Sequence, residues 1–212
     1  MSTFKSIDPD QQTAQDNYKL IIGGIVPRPI AFVSTCSLEG HLNLAPFSFF
    51  NGVCSNPPTI MFSTMRRGSD GGKKDTLINI EATGEFVVNV VTEEIVEAMN
   101  QTAGEYPPEV SEFELAGFTT QASEVIRPPR VQESPFQMEC QLNQIVTIGD
   151  GSVGSGHLVI GTVVRFHVRE DIYEKGRIIT DRLKPVARLA GASYCPVRDI
   201  FDLARPAGGS GG

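Results

Sequence analysis

The sequence predicts a mainly β fold: an antiparallel barrel of six or seven strands carrying two or three short helices. Three observations support this. From Phe136 to Ile148 apolar and polar residues alternate, with Phe136, Met138, Cys140, Leu142, Val146 and Ile148 on one face and Gln137, Glu139, Gln141 and Asn143 on the other. That period of two marks a half-buried strand. After the turn Gly149–Gly156, a second long run from His157 to Arg169 puts Leu158, Ile160, Val164, Phe166 and Val168 on one face and Arg165, His167 and Arg169 on the other. Strands this long pair as a twisted hairpin, the unit from which barrel walls are made. Elsewhere hairpins dominate and no βαβαβ rhythm occurs, which disfavours a doubly wound sheet.

Taken in order, the first 25 residues are polar and then briefly apolar, with Gly23-Gly24 expected to break any helix. Pro27-Arg28-Pro29 can only lead into a strand or lie on an edge. Ile30–Thr35 is β-branched, aromatic and too short for a helix, so it is a strand. Glu39-Gly40 turns it back through His41–Pro46, and Phe47–Asn56 is expected to be a loop. Thr59–Ser63 is apolar on both faces and so buried on both. A glycine-rich basic loop, Met65–Lys74, precedes a short helix, Asp75–Ala82, capped by Asp75 or Thr76 and stopped by Gly84. Glu85–Val91 is a strand. Thr92 is expected to cap a helix reaching Thr102, with Glu93 and Glu94 in its first turn. Gly104–Pro129 is irregular, and long enough to form a lid or an arm. A short helix is expected near Asp181. Residues 1–205 form one domain, and 206–212, rich in glycine, a flexible tail.

Bulk properties narrow the function. A chain of 212 residues with a formal charge of −7 is a poor partner for nucleic acid, which is bound by clustered Lys and Arg. No apolar run approaches a membrane span and no signal peptide is evident, so a cytoplasmic location is expected. Cys36, Cys54, Cys140 and Cys195 have no CxxC spacing, which suggests neither a metal site nor a redox dithiol. Cys54 is expected to be a small buried side chain.

Two glycine motifs fail on context. Gly149-Asp-Gly-Ser-Val-Gly154 matches a dinucleotide fingerprint by letter, but a strand follows where the pyrophosphate needs a helix. Gly68–Lys74 is one residue short of a P-loop and lacks the hydroxyl after its lysine. The physics of that loop survives: a buried strand leads into Arg66, Arg67, Lys73 and Lys74 and then a helix start with a hydroxyl at Thr76. Free N–H groups beside cations favour a bound phosphate, though a solvated basic loop would look the same. The segment Asn43–Asn51 could line a flavin ring with amides, a hydroxyl and apolar surface, or could simply cap the core.

Five ordered motifs go further: Pro27–Thr35 (PRPIAFVST), Asn43–Asn51 (NLAPFSFFN), Asn56–Ser63 (NPPTIMFS), Lys74-Asp-Thr76 with Asn79-Ile80, and Thr83–Asn89 (TGEFVVN). Together they resemble the flavin-reductase-like, FMN-binding split-barrel family, in the branch that includes flavoredoxin-type proteins. Ser155–Gly161 and Arg188–Tyr194 also look like family positions. The resemblance implies a Greek-key split barrel, non-covalent FMN in a groove at a homodimer interface, and hydride transfer from NADH or NADPH. It also implies that Asn43, Ala45 and Pro46 lie along the flavin ring, that Ser48 and Asn51 serve the ring edge or ribityl chain, and that Ser63, Lys74 and Thr76 hold the phosphate or the chain leading to it. His157 is the candidate for a residue near the flavin or nicotinamide, or else a structural histidine. Arg28 either meets a phosphate or caps an edge strand, and His167 is read as solvent-facing. An electron carrier or flavin-storage protein without nicotinamide turnover would need the same pocket. Reduced flavin could pass to a partner monooxygenase.

Overall fold

The computed structural model describes residues 2–206; all but the first residue of the expected tail lies outside them. Seven strands build one antiparallel sheet: β1 (Ala31–Cys36), β2 (Leu42–Phe47), β3 (Phe50–Ser55), β4 (Pro58–Met65), β5 (Glu85–Val90) and, after the two-residue strands β6 (Thr120–Gln121) and β7 (Arg130–Val131), β8 (Phe136–Ile148) and β9 (Gly156–Val168). Their order is β2-β1-β5-β8-β9-β4-β3. The two outermost strands, β2 and β3, are joined by Ser48 and Phe49 alone. A sheet whose edges are tied by two residues must curl on itself, so the architecture is a split barrel with its seam at Ser48-Phe49. Among the described residues, no helix is long and apolar enough to cross a membrane.

The barrel interior is filled by Val33, Phe47, Phe62, Leu77, Ile80, Phe86, Val88 and Val159. Phe62 stands at its centre, with ring centroids 5.1 Å from Phe47 and 5.5 Å from Phe86. Each such ring contributes about 1.5–3 kcal/mol by leaving water. Gly161 lies directly under Phe86, where a Cβ would come within 2.3 Å of the ring. A second core, around Phe32, Leu44, Met99 and Phe113, packs outside the barrel beneath α3 (Val96–Gln101) and α4 (Glu112–Ala116).

Several local expectations are corrected. The first segment is not free of helix: α1 spans Ala14–Gly24, with the Thr13 hydroxyl accepting from the Asp16 N–H. Gly23 and Gly24 fall in its last turn, where they cost little. Residues 50–55 form β3 rather than a loop. The helix α2 (Asp75–Thr83) has Lys74, not Asp75 or Thr76, at its N-cap, and no side chain bonds there; Gly84 stops it in the left-handed region, at φ 70°. Thr92 pairs with Pro185 in an isolated bridge, and α3 begins only after Ile95. The helix near Asp181 is α5 (Thr180–Leu183).

Alternation also misjudged both faces of the long hairpin. Gln137 and Glu139 are buried along with Met138 and Cys140, because β7 and the preceding loop cover the polar face. Glu139 accepts from the N–H groups of Glu124 and Val125 at 2.8 and 2.9 Å, and lies 2.6 Å from His167 Nε2. His167 is therefore folded against a buried carboxylate rather than facing solvent. On β9 it is His157, Val159 and Val163 that point inward, while Val164 and Phe166 are exposed. Cys54 is exposed and Cys140 is the buried thiol.

Candidate site at the barrel seam

The seam places the strand ends of β2 and β4 beside the start of α2. Pro46, Phe47, Ser48, Phe49, Ser63, Met65, Lys74 and Tyr18 of α1 line a hollow of about 180 Å³. Through Ser63, Met65, Phe49 and Tyr18 it continues into a larger apolar hollow of about 440 Å³ that reaches Ile21, Ile148 and Leu158. The Ser63 N–H donates to Phe49 O at 2.8 Å, which ties β4 to the residue just ahead of β3.

Of the four cations in the loop before α2, two are paired with carboxylates and a third bonds only a backbone carbonyl. Arg66 bonds Gly71 O at 2.9 Å, Arg67 pairs with Asp75 at 2.7 Å, and Lys73 grips both carboxylate oxygens of Glu81 at 2.7 and 2.8 Å. Lys74 makes no ion pair or side-chain hydrogen bond among the described residues. Next to it, the N–H groups of Asp75 and Thr76 open α2 with no acceptor inside the helix. A free ammonium and two aligned N–H groups form an anion seat on physical grounds.

The two sides of Lys74 differ. One is a hollow of only about 30 Å³ lined by Asn43, Ala45 and Thr76 together with three carboxylates, Asp75, Glu105 and Glu112, of which Asp75 alone is paired with a cation of the lining, Arg67. Burial pushes the Glu112 carboxyl above its ordinary value, although it accepts the Leu44 N–H at 2.9 Å. The other side is the seam hollow, where Ser48 and Ser63 supply hydroxyls and no carboxylate is present among the lining residues. An anion at Lys74 is favoured on the second side. Asn43 and Thr76 are committed to each other (Nδ2 to Oγ1, 2.9 Å) in a buried chain that runs on through Thr35 to Asn79. That chain fixes the helix start against β2.

The predicted residues thus separate. Pro46, Ser48, Ser63 and Lys74 meet in the seam, and Asn43, Ala45 and Thr76 lie just behind it. Asn51 is exposed on β3 and its side chain accepts the Gly52 N–H, outside both hollows. His157 is buried across from Thr64, on the strand face opposite Ser63 and Leu158. Burial, then the charges of Arg66 and Lys73, hold its pKa down and keep the ring neutral.

Sequence reasoning missed a further hollow of about 160 Å³, which shares Pro46, Ser48 and Tyr18 with the seam and is otherwise lined by Ile22, Arg28, Met99, Arg188 and Tyr194, among others. Tyr18 could have been found: Thr13-x-x-Asp16 is a helix-capping signal, and Tyr18 and Ile22 are one turn apart on the helix it opens. Nothing local links Arg28 to Arg188.

Comparison with known proteins adds identity to this geometry. Residues 23–186 match the flavin reductase like domain family. The chain is similar to the solved nitrilotriacetate monooxygenase component B from Bacillus cereus, at 47% identity and a TM-score of 0.91, over 96% of this chain and 100% of that one. It is also similar to the Pseudomonas fluorescens 2-nitrobenzoate 2-nitroreductase NbaA, at 33% identity and a TM-score of 0.86, over 96% of this chain and 97% of that one. A further relative, the uncharacterized Bacillus subtilis protein YwrF, is 43% identical over 200 residues, 93% of this chain and 97% of that protein.

Proposed function

The chain belongs to the flavin reductase-like domain family, and from that premise we propose that it binds one FMN non-covalently in the seam and works as an NAD(P)H-dependent flavin oxidoreductase. The observation that carries the site is Lys74, the loop cation left without an internal partner, opening onto a hollow free of carboxylates. When bound, FMN would supply acceptance of a hydride from NADH or NADPH, chemistry that belongs to the cofactor rather than to side chains.

The protein's share is binding and positioning. Lys74 holds the phosphate dianion at the start of α2, with Ser48 and Ser63 as hydroxyl partners for it or for the ribityl chain. Pro46 and Ala45 present the flat edge of β2 to the ring. Phe49 and Tyr18, with ring centroids 6.4 Å apart, cover the apolar end and exclude water. Asn43, Thr35 and Asn79 keep Thr76 in place. We assign His157 a structural part, as the neutral plug of the barrel end, and Asn51 a part in β3, where its side chain already accepts the Gly52 N–H. A homodimer would cover Ile148 and Val153, 60% and 58% exposed at the open rim. The name of the Bacillus cereus relative makes it a component of a monooxygenase, which supports a partner oxygenase as acceptor here. Four free thiols agree with a cytoplasmic setting.

The test is optical. The purified protein should be yellow, and anaerobic NADH or NADPH should bleach the flavin band. A yellow protein that stays oxidised with both donors supports the electron carrier or flavin-storage reading. A colourless protein that takes up no added FMN sinks both.

A further inference from the structure

The hollow on the far side of Pro46 and Ser48 carries an unbalanced charge. Arg28 is 4% exposed, and no carboxylate pairs with it among the described residues. Its donors go to Ile22 O (2.8 Å), Ile25 O (2.6 Å), Leu189 O (2.9 Å) and, from Nε, Ser48 Oγ (3.3 Å). A guanidinium has five N–H groups, so one on Nη2 is left over. The carbonyls satisfy hydrogen bonds but bring no net negative charge, and buried cations are ordinarily paired. Arg188 lines the same hollow. It bonds Gly191 O and the Tyr194 hydroxyl, stacks over the Tyr194 ring at 4.5 Å, and also lacks a carboxylate partner. Two arginines therefore face one space whose lining contains no acid.

Shape narrows the ligand. Beside the arginines the lining includes the apolar Ile22, Ile30 and Met99 and the aromatic Tyr18 and Tyr194. The volume, about 160 Å³, is well under the roughly 300–1,000 Å³ of a pocket for a drug-sized molecule. A whole dinucleotide does not fit, while a single ring with one acidic group does. Arginine forks match planar carboxylates better than point charges do.

We propose that this hollow binds a small aromatic carboxylate beside the seam, as the second molecule that meets the flavin. The proposal rests on the FMN reading only for that last clause; the carboxylate site itself does not need it. Calorimetry with benzoate and its neutral isostere benzamide tests it, on the purified protein with and without FMN. Benzoate should bind at least about tenfold tighter than benzamide, and Arg188→Gln should weaken benzoate by about tenfold or more while leaving FMN affinity unchanged. Arg188→Lys, which keeps the charge but loses the fork, should fall between. Equal binding of acid and amide would overturn the proposal, as would indifference of benzoate to Arg188→Gln. Displacement of benzoate by FMN, with benzoate affinity lost in Lys74→Ala and kept in Arg188→Gln, would mean that it sits at Lys74 instead. Arg188-dependent binding of NADPH without benzoate binding would give the hollow to the nicotinamide. Selective benzoate binding by a protein that takes no FMN would leave this site standing and remove only the function proposed above.

Discussion

Replacing Lys74 with alanine isolates one interaction. In the protein its ammonium is bonded to nothing among the described residues, so its removal breaks no internal contact and any loss is a loss of ligand binding. A charge-assisted hydrogen bond to a phosphate contributes about 1.5–3 kcal/mol, which at 1.4 kcal/mol per decade is an affinity loss of about 10- to 150-fold for FMN. Lys73 is the matched control: it sits one residue away with the same charge, but Glu81 holds it at 2.7 and 2.8 Å. Lys73→Ala should leave FMN affinity within about twofold, since an exposed pair contributes little. Riboflavin, which lacks the phosphate, should bind the wild type and Lys74→Ala alike. The assay is quenching of flavin fluorescence on titration with protein, at two ionic strengths, because the Lys74 contribution must shrink as salt screens it. Equal losses for Lys73→Ala and Lys74→Ala, or an equal loss for riboflavin, would show that net charge or folding, not a seated phosphate, is responsible.

Three other outcomes concern the scaffold. Glu139→Gln leaves two backbone donors and His167 competing for one carbonyl oxygen in a buried place, at a cost of about 3–5 kcal/mol read from thermal melts. Burial raises the pKa of that carboxyl, but those donors outweigh it and hold it below its ordinary value. The stabilisation is therefore full above the unfolded value, about 4.3, and is lost as pH falls through the lower folded one. A melting difference between wild type and variant that stays constant into the acid range would contradict the assignment. Gly161→Ala forces a methyl to within 2.3 Å of the Phe86 ring and should cost about 1–3 kcal/mol in denaturant titration; an unchanged midpoint would mean the ring is free to move. With a thiol reagent Cys54 should react in the native state, whereas Cys140, whose thiol burial pushes up, should react only on unfolding.

What the sequence made legible was whatever has a local cause. Alternation delimits β8 residue for residue and β9 to within one, and Gly84 stops α2 because only the left-handed region ends it there. β3 was missed because it is an edge strand whose residues 51–55 are all exposed, so it carries no alternation and its aromatic and small polar residues look like a loop. The polar face of β8 looked like surface because the groups that bury Glu139 come from a loop at residues 124–125 and from β9. The same limit applies to the site. The basic loop and the helix start could be read as an anion seat. Which of its lysines is free could not, because that depends on Glu81 reaching back one way and not the other. The Arg28–Arg188 hollow was invisible for the same reason: its parts are brought together only by tertiary structure.

That hollow has an unusual parentage. The barrel strands give it little more than Pro46; Tyr18 and Ile22 come from the helix ahead of β1, and Leu189, Gly191 and Tyr194 from the segment behind the long hairpin. A single guanidinium fastens the two, reaching from residue 28 to both Ile22 and Leu189. Relatives can thus keep the same cylinder while differing in these flanking pieces, and grafting them between homologues asks directly whether they set the choice of reactant.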